Sequence, residues 1–408
     1  MEKQLLVIGM VWPEPTSSAA GWRMLQLLDL FHGQGYQIHF ASAASKSPFS
    51  YPLTKIGITE KFIQLNDSSF DGYIRELNPD VVMFDRFMIE EQYSWRVMEA
   101  CPTAVRILDT EDLHFLRHAR QEAYKNGNKF EEKFLYSEQA KRELAAIYRS
   151  DLSIMISSFE YNLLQEKFNI KKEILAYLPF QIKTDQSINK VKTGFEDRSN
   201  FVFIGNFLHE PNWKTVQKLK TIWPAIRKEL PKTEIHIYGA YPSQKVLQLN
   251  NPKQGFIVKG RTDDAIKMLA KYRVLLAPIP FGAGLKGKFI DALHAQTPSV
   301  STHFGAEGME INGLWNGFIG ADDEEIIQYA LNLYSQQEVW NNAVKNGKIM
   351  LSNFSKLDWG VDFLAQLNQV AGAIADHRDQ NFIGQILWSK QFSASKYLSL
   401  WIEEKNRG

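Results

Sequence analysis

Short apolar runs alternate with amphipathic helical segments along most of the chain, a pattern that predicts parallel sheets covered by helices on both faces. In the first half the runs fall at 5–10, 36–41, 62–66, 81–85, 105–108, 152–157 and 174–178. Met24, Leu27, Leu28 and Phe31 lie at i, i+3, i+4 and i+7, which predicts a helix that either Ser17 or Ser18 caps. Between 181 and 199 the chain turns polar and reads as a connection. The alternation then restarts, with runs at 201–205, 235–239, 256–259, 274–278, 299–302 and 318–320. Two α/β lobes are expected, a front lobe over 1–180 and a rear lobe over 200–375, followed by a segment at 376–408. In that last segment Tyr397, Leu400 and Trp401 recur at i, i+3 and i+4 beside Lys396, Lys405 and Arg407. Such a helix suits either packing on the protein or lying on a membrane surface.

Composition narrows the class. A chain of 408 residues exceeds what one core usually serves, and 44% hydrophobic with 23% charged residues is globular. The formal net charge of +1 creates no global field, so nucleic acid is not an expected partner and an anionic ligand needs a local site. Cys101 is the single cysteine, which excludes internal disulfides and suits a reducing compartment; with no activating motif around it, it reads as a small buried apolar residue. The first residues enter a strand without the marks of a signal peptide, and no apolar stretch approaches the roughly 20 residues that span a bilayer. A cytoplasmic placement is expected, with contact at the inner face of the membrane left open.

In open parallel sheets ligands bind beyond the carboxyl ends of strands, so residues that follow each strand carry the candidate chemistry. The run from Pro278 to Leu293 reads as strand, glycine-rich loop and helix. Gly282, Ala283 and Gly284 let backbone amides approach a ligand, Leu285 follows, and Lys286 and Lys288 add charge at a helix N-terminus, a set that fits a diphosphate. No Ser or Thr follows the lysine as a Walker loop requires. At 202–212, Gly205, Asn206 and His209 sit in a strand-to-helix loop, and Pro211 opens the helix that follows. The first loop carries Ala19, Ala20, Gly21 and Arg23, which suits either substrate approach or close strand-helix packing. After the strand at 105–108 come Asp109, Glu111, Asp112 and His114, able to chelate a metal, position an acceptor hydroxyl or cap a helix; capping is the first expectation for Asp109 and a cleft role for Asp112 and His114. Asp85 and Arg86 line the same wall or form a surface ion pair.

The 205–212 segment, Ile237-Tyr238-Gly239, Val258 to Arg261 with Asp263, and the 278–302 block continuing to Gly308 together resemble the family 4 glycosyltransferases of GT-B fold, most clearly over 200–359. The resemblance implies two Rossmann-like lobes gripping an activated sugar, with the last helix crossing back to the first lobe. It places the diphosphate at Lys286 and Lys288, the base near Gly260 and Arg261, and the ribose near Asp291, with Gly205, Asn206, His209 and Gly239 also counted on the donor side. Gly21 approaches the phosphate, and acceptor contacts come from Arg23, Asp85, Arg86, Asp109, Asp112 and His114, with Asp112 and His114 counted beside the lysines as catalytic. It further implies retention of anomeric configuration, no metal and no tightly bound cofactor, a UDP- or GDP-linked donor, and a glycan, lipid-linked or protein hydroxyl as acceptor. Cell-surface polysaccharide or glycoconjugate synthesis is the expected setting. One departure stands out: the family commonly places glutamates seven residues apart, where this chain has Ala283 and Asp291. An epimerase on the same fold and a non-catalytic relative remain the alternatives.

Overall fold

The computed structural model describes residues 3–182, 193–356 and 358–407; most of the polar connection, 183–192, lies outside the described residues. The front-lobe strands are β1 (Gln4–Gly9), β2 (Gln37–Ser42), β3 (Thr59–Phe62), β4 (Val81–Asp85), β5 (Val105–Asp109), β6 (Leu152–Met155) and β7 (Leu175–Tyr177). They form one parallel sheet in the order β3-β2-β1-β4-β5-β6-β7. The rear lobe holds β8 (Ser199–Ile204), β9 (Ile235–Tyr238), β10 (Phe256–Gly260), β11 (Tyr272–Ala277), β12 (Ser299–Ser301) and β13 (Gly317–Ile319), parallel in the order β10-β9-β8-β11-β12-β13. The α/β expectation of two lobes with parallel sheets is met. The third run is displaced, because 59–62 pairs with β2 while 63–66 forms the loop after it.

Helices of the front lobe are α1 (Ala19–His32), α2 (Ser69–Leu77), α3 (Phe87–Ala100), α4 (His114–Lys125), α5 (Glu138–Arg149) and α6 (Ser158–Phe168). In the rear lobe come α7 (Glu210–Glu229), α8 (Gln244–Leu247), α9 (Ala265–Leu269), α10 (Gly287–His294), α11 (His303–Ala306), α12 (Asp323–Ser335) and α13 (Gln337–Lys356). Ser18, not Ser17, caps α1, its hydroxyl accepting from the Gly21 amide at 3.0 Å. Met24, Leu27, Leu28 and Phe31 are all buried, as the spacing requires.

The chain returns to the front lobe earlier than 376. In α14 (Trp359–Gly372), Phe363, Leu364, Leu367 and Val370 already join the front-lobe core with Leu27 and Phe31. After α15 (Ile374–Gln380), α16 (Phe382–Arg407) lies against α3 and α5 with its polar side inward: the Trp388 indole donates to the Arg149 carbonyl at 3.1 Å, and Glu403 meets Arg96 at 3.5 Å. Tyr397, Leu400 and Trp401 face outward, 67%, 40% and 60% exposed, so the predicted apolar face is not what holds this helix down. Among the described residues no helix is long and apolar enough to cross a membrane. Cys101 is buried and unpaired.

A candidate donor and acceptor cleft

Each sheet changes winding direction at its middle, between β1 and β4 in front and between β8 and β11 behind. At such switch points neighbouring loops diverge to opposite faces and leave a crevice. The sequence-selected loops follow these strands: 10–18 after β1, 85–86 after β4, 205–209 after β8 and 278–286 after β11.

The two crevices face each other through direct contacts. Gly284 sits at φ +64°, and a Cβ there would lie 2.8 Å from Asp112 Cβ, so the glycine loop touches the front-lobe wall only because it carries no side chain. Its amide donates to Glu160 Oε1 at 2.7 Å, and Glu160 also accepts from the Leu113 amide at 3.1 Å. Arg120 of α4 donates to the Gly282 carbonyl (2.7 Å) and, through both terminal nitrogens, to Glu307 (2.8 and 2.7 Å). Asn206 donates to the Ser17 carbonyl (3.3 Å), Arg261 to Thr16 (2.6 Å) and Tyr241 to Glu14 (2.7 Å). A Gly284→Ala change pushes a methyl into Asp112 and forces an L-residue into left-handed backbone, about 1–2 kcal/mol by itself. It is expected to lower donor kcat/KM by about tenfold or more, read by steady-state kinetics.

Electrostatics concentrate on this contact. Lys286, at the N-cap of α10, is pushed down to about 8 by burial, against the pull of Glu307. Lys288 falls to about 7 through burial and then the neighbouring Lys286 charge. Its ammonium donates to Asn212 Oδ1 (2.7 Å), and Lys286 donates to the Gly284 carbonyl (2.8 Å). With no carboxylate in salt-bridge range among the described residues, both lysines keep charge in reserve for an anion. Asp112, opposite, would be raised by burial, but Arg117 and His114 outweigh that and hold it at about 2. His114, 3.4 Å from Asp112, is driven to about 3 by burial and is therefore neutral at pH 7. His209 belongs to the rear lobe, faces Asp112 across the cleft and is pushed down to about 4 by burial and then the Arg117 charge, so it too is neutral at pH 7.

The other expected donor residues gather around the same opening. A Cβ on Gly205 would strike the Asn212 side chain at 2.6 Å, and one on Gly239 would meet the Gly205 carbonyl at 2.0 Å, so both permit close loop packing. Gly260, at φ +76°, has open space where its side chain would be. Arg261 stacks on Phe49 at 4.2 Å and pairs with Asp263. Asp291 is raised to about 7 by burial and then the Asp264 charge, which brings α10 beside the 260–264 loop. Ala283 packs against the front-lobe core and Leu285 is buried. The Gly21 amide is spent on the Ser18 cap, and a Cβ there would collide with Glu14 backbone at 2.5 Å, so close packing accounts for this glycine.

Asp109 does not cap a helix. It ends β5, fully buried, 3.5 Å from Arg23, because α4 begins only at His114. The α4 amides of His114 and Phe115 instead donate to Glu143 at 3.0 and 2.7 Å. Asp85 meets Arg86 at 3.0 Å and accepts from the Met10 amide at 3.0 Å, a buried pair at the cleft floor and not a surface one. Asp85, Asp109 and Glu111 each bring a carboxylate oxygen within 4.8 Å of the others, a spacing that could also hold a metal ion. Glu160, Arg120, Glu307 and Glu143 escaped sequence reasoning. Their partners lie 28 to 187 residues away and leave no local pattern.

Residues 198–336 match the family model described as glycosyl transferases group 1. The rear lobe is a glycosyltransferase domain. The fold around it agrees: the crystal structure of TarM superposes with a TM-score of 0.67 at 10% identity, covering 91% of this chain and 99% of that one. An S. aureus TarM G117R mutant, solved with Fondaparinux, alpha-GlcNAc-glycerol and UDP, gives 0.55 at 12% identity over 74% of this chain; there the match spans 58% of the other chain's length. An E. coli trehalose-6-phosphate protein bound with UDP-2-fluoro glucose gives 0.62 at 10% identity, covering 90% and 99%. No curated protein sequence matches. The whole chain thus has the GT-B fold that these glycosyltransferase structures share, with the transferase domain supplying the glycine loop and both lysines.

Proposed function

We propose that the protein moves a sugar from a nucleoside diphosphate sugar, UDP- or GDP-linked, to a hydroxyl acceptor, with retention and without a bound metal. The observation that carries this reading is the pair of half-buried lysines, free of carboxylate partners among the described residues, at the N-terminus of α10 beneath a glycine loop. As the bond from the anomeric carbon to the diphosphate oxygen breaks, negative charge grows on the leaving group. Lys286, Lys288 and the α10 dipole meet it there in a poorly solvated cleft. The new bond forms to the acceptor oxygen from the same face, and its proton passes to a donor phosphate oxygen. Asp112, ionised, and His114, neutral, line the front wall where a sugar hydroxyl needs an acceptor and a donor. Solved neighbours that carry UDP or a UDP-sugar favour UDP as the first donor to try.

Lysine titration gives a test with a defined sign. Lys288 at about 7 and Lys286 at about 8 lose their protons as pH rises, so the empty site is most cationic below pH 7. UDP affinity is expected to fall by about tenfold or more between pH 6 and 9, with proton uptake on binding near pH 8. Isothermal titration in two buffers of different ionisation enthalpy measures both, and affinity that rises with pH would refute the assignment. Ala283, which carries no carboxylate, favours the non-catalytic alternative; turnover of any nucleotide sugar with an acceptor, and none without one, removes both that and the epimerase reading. Peripheral membrane contact is supported by the outward Tyr397, Leu400 and Trp401 of α16.

A further inference from the structure

We propose that Glu160 is a positioning residue for transfer: one oxygen of its carboxylate sets the spacing between the glycine loop of the rear lobe and the front wall that carries Asp112 and His114. The inference rests on the glycosyl-transfer reading and deepens it, by assigning the alignment of the two half-sites to a single side chain. Glu160 Oε1 accepts from the Gly284 amide at 2.7 Å and from the Leu113 amide at 3.1 Å, so one atom joins the glycine loop to the residue between Asp112 and His114. The loop is held at the opposite polarity two residues earlier, where the Gly282 carbonyl accepts from Arg120. Both holds come from the front lobe, and both leave Lys286 and Lys288 to the ligand.

A local rule is broken to make this link. Ser157, Ser158, Phe159 and Glu160 span the start of α6 in the order of a capping box, in which the serine hydroxyl accepts from the amide three residues on and the glutamate turns back to the serine amide. Ser157 is indeed the N-cap residue, but its side chain makes no cap hydrogen bond and its Oγ is buried without a partner among the described residues. Glu160 reaches two other elements instead, and its Oε2 is buried without a partner on a residue that is itself fully buried. Helix capping is forgone, and a carboxyl group leaves water with one oxygen unused. A glutamate kept for α6 alone would close the box; the bonds it makes serve the cleft. The charged groups facing Glu160 are Asp112, from the loop before α4, and Lys286, at the cap of α10; beside Lys286 stand Glu307 and Arg120, paired with each other. Burial and then the Asp112 charge push Glu160 up to about 7. Ionised, it accepts charge-assisted bonds; protonated, it holds the two amides more weakly. Alignment is therefore lost as pH falls through about 7, the opposite sign to the lysines, whose charge is lost as pH rises.

The test uses the full chain with the UDP- or GDP-hexose and the aryl glycoside that the native protein turns over fastest. Single-turnover transfer at saturating substrates is expected to fall by about fivefold as pH drops from 8 to 6. Glu160→Gln, whose amide oxygen accepts from the same two amides without the charge, is expected to transfer about fivefold more slowly at pH 8, to lose this acid limb and to leave the UDP Kd unchanged. Glu160→Ala should be slower still, by about thirtyfold, and where it fails to fold the glutamine variant decides alone. Hydrogen exchange at the Leu113 and Gly284 amides, followed by mass spectrometry, is expected to quicken together in the variants. A glutamine variant that keeps the native rate and acid limb, or whose UDP Kd weakens as much as its transfer, overturns the inference and leaves the donor site standing. Unchanged exchange at both amides overturns it too. Turnover of no UDP- or GDP-hexose would instead remove the glycosyl-transfer reading beneath it, and exchange would still show whether Glu160 joins the two walls.

Discussion

Replacing Lys286 and Lys288 together by alanine is expected to lower sugar transfer by about a thousandfold or more and to leave the melting temperature unchanged or raised. The activity loss follows from where the charge is needed: a departing diphosphate develops its charge against these two ammonium groups, which the pyrophosphate meets in a cleft that excludes much water. Stability moves the other way by linkage. A lysine whose pKa in the folded protein lies at about 7 or 8, below its unfolded value, binds fewer protons when folded; its charged form opposes folding at low pH, and that opposition is relieved as pH rises from about 7 towards 10.5. Removing both groups relieves the desolvation at neutral pH. The signature is therefore a dead enzyme that is no less stable, the trade expected of a binding site and not of a structural ion pair. Calorimetry beside single-turnover transfer checks it. A double variant that keeps wild-type turnover, or that loses activity only because it unfolds, defeats the assignment.

How much of this was readable beforehand depends on the range of the interactions. Alternating runs with legible turns gave every strand within a few residues, because a strand buried on both faces must be apolar along its length. Only 62–66 misled: Ile63 and Leu65 look like strand, yet β2 is already paired by 59–62 and the chain turns away after Phe62. The glycine loop and its lysines were visible because a strand, a glycine pair and a helix N-terminus are consecutive in sequence. Helix capping was misjudged for the converse reason. Asp109 precedes α4 in sequence, but Glu143 and Glu160, from two later helices, reach the α4 amides in space. Side chains that bridge the lobes have no periodicity to betray them, so Glu160 and Arg120 leave no signal in the sequence, and only the fold brings the loop of 282–284 to them.

Arg120 is where the second large effect is expected, since its two terminal nitrogens make three hydrogen bonds from one lobe to the other. Its guanidinium spans Glu307 with both terminal nitrogens and the Gly282 carbonyl with one, lies between the Phe159 and Phe304 rings at 5.3 and 5.1 Å, and is only 4% exposed at the side chain. Arg120→Met keeps the apolar stem but strands the Glu307 carboxylate, and breaking one partner of a buried pair costs about 3–5 kcal/mol. Each lobe retains its own core, one around Ile222, Val274 and Phe289, the other around Leu108, Phe115 and Leu164, so the loss falls on lobe closure more than on folding. The expected result is a fall in kcat/KM of about a hundredfold, a larger radius of gyration in solution scattering, and thermal unfolding that separates into two transitions. Arg120→Lys preserves charge but neither the bidentate pair nor the ring contacts, and should recover less than half of that loss in free energy. Because the two residues act as one unit, adding Glu307→Gln to Arg120→Met should cost little more than Arg120→Met alone. Strict additivity of the two substitutions, with closure unchanged by scattering, would show that the lobes are held by the Glu160 and Arg261 contacts and that Arg120 merely decorates the cleft.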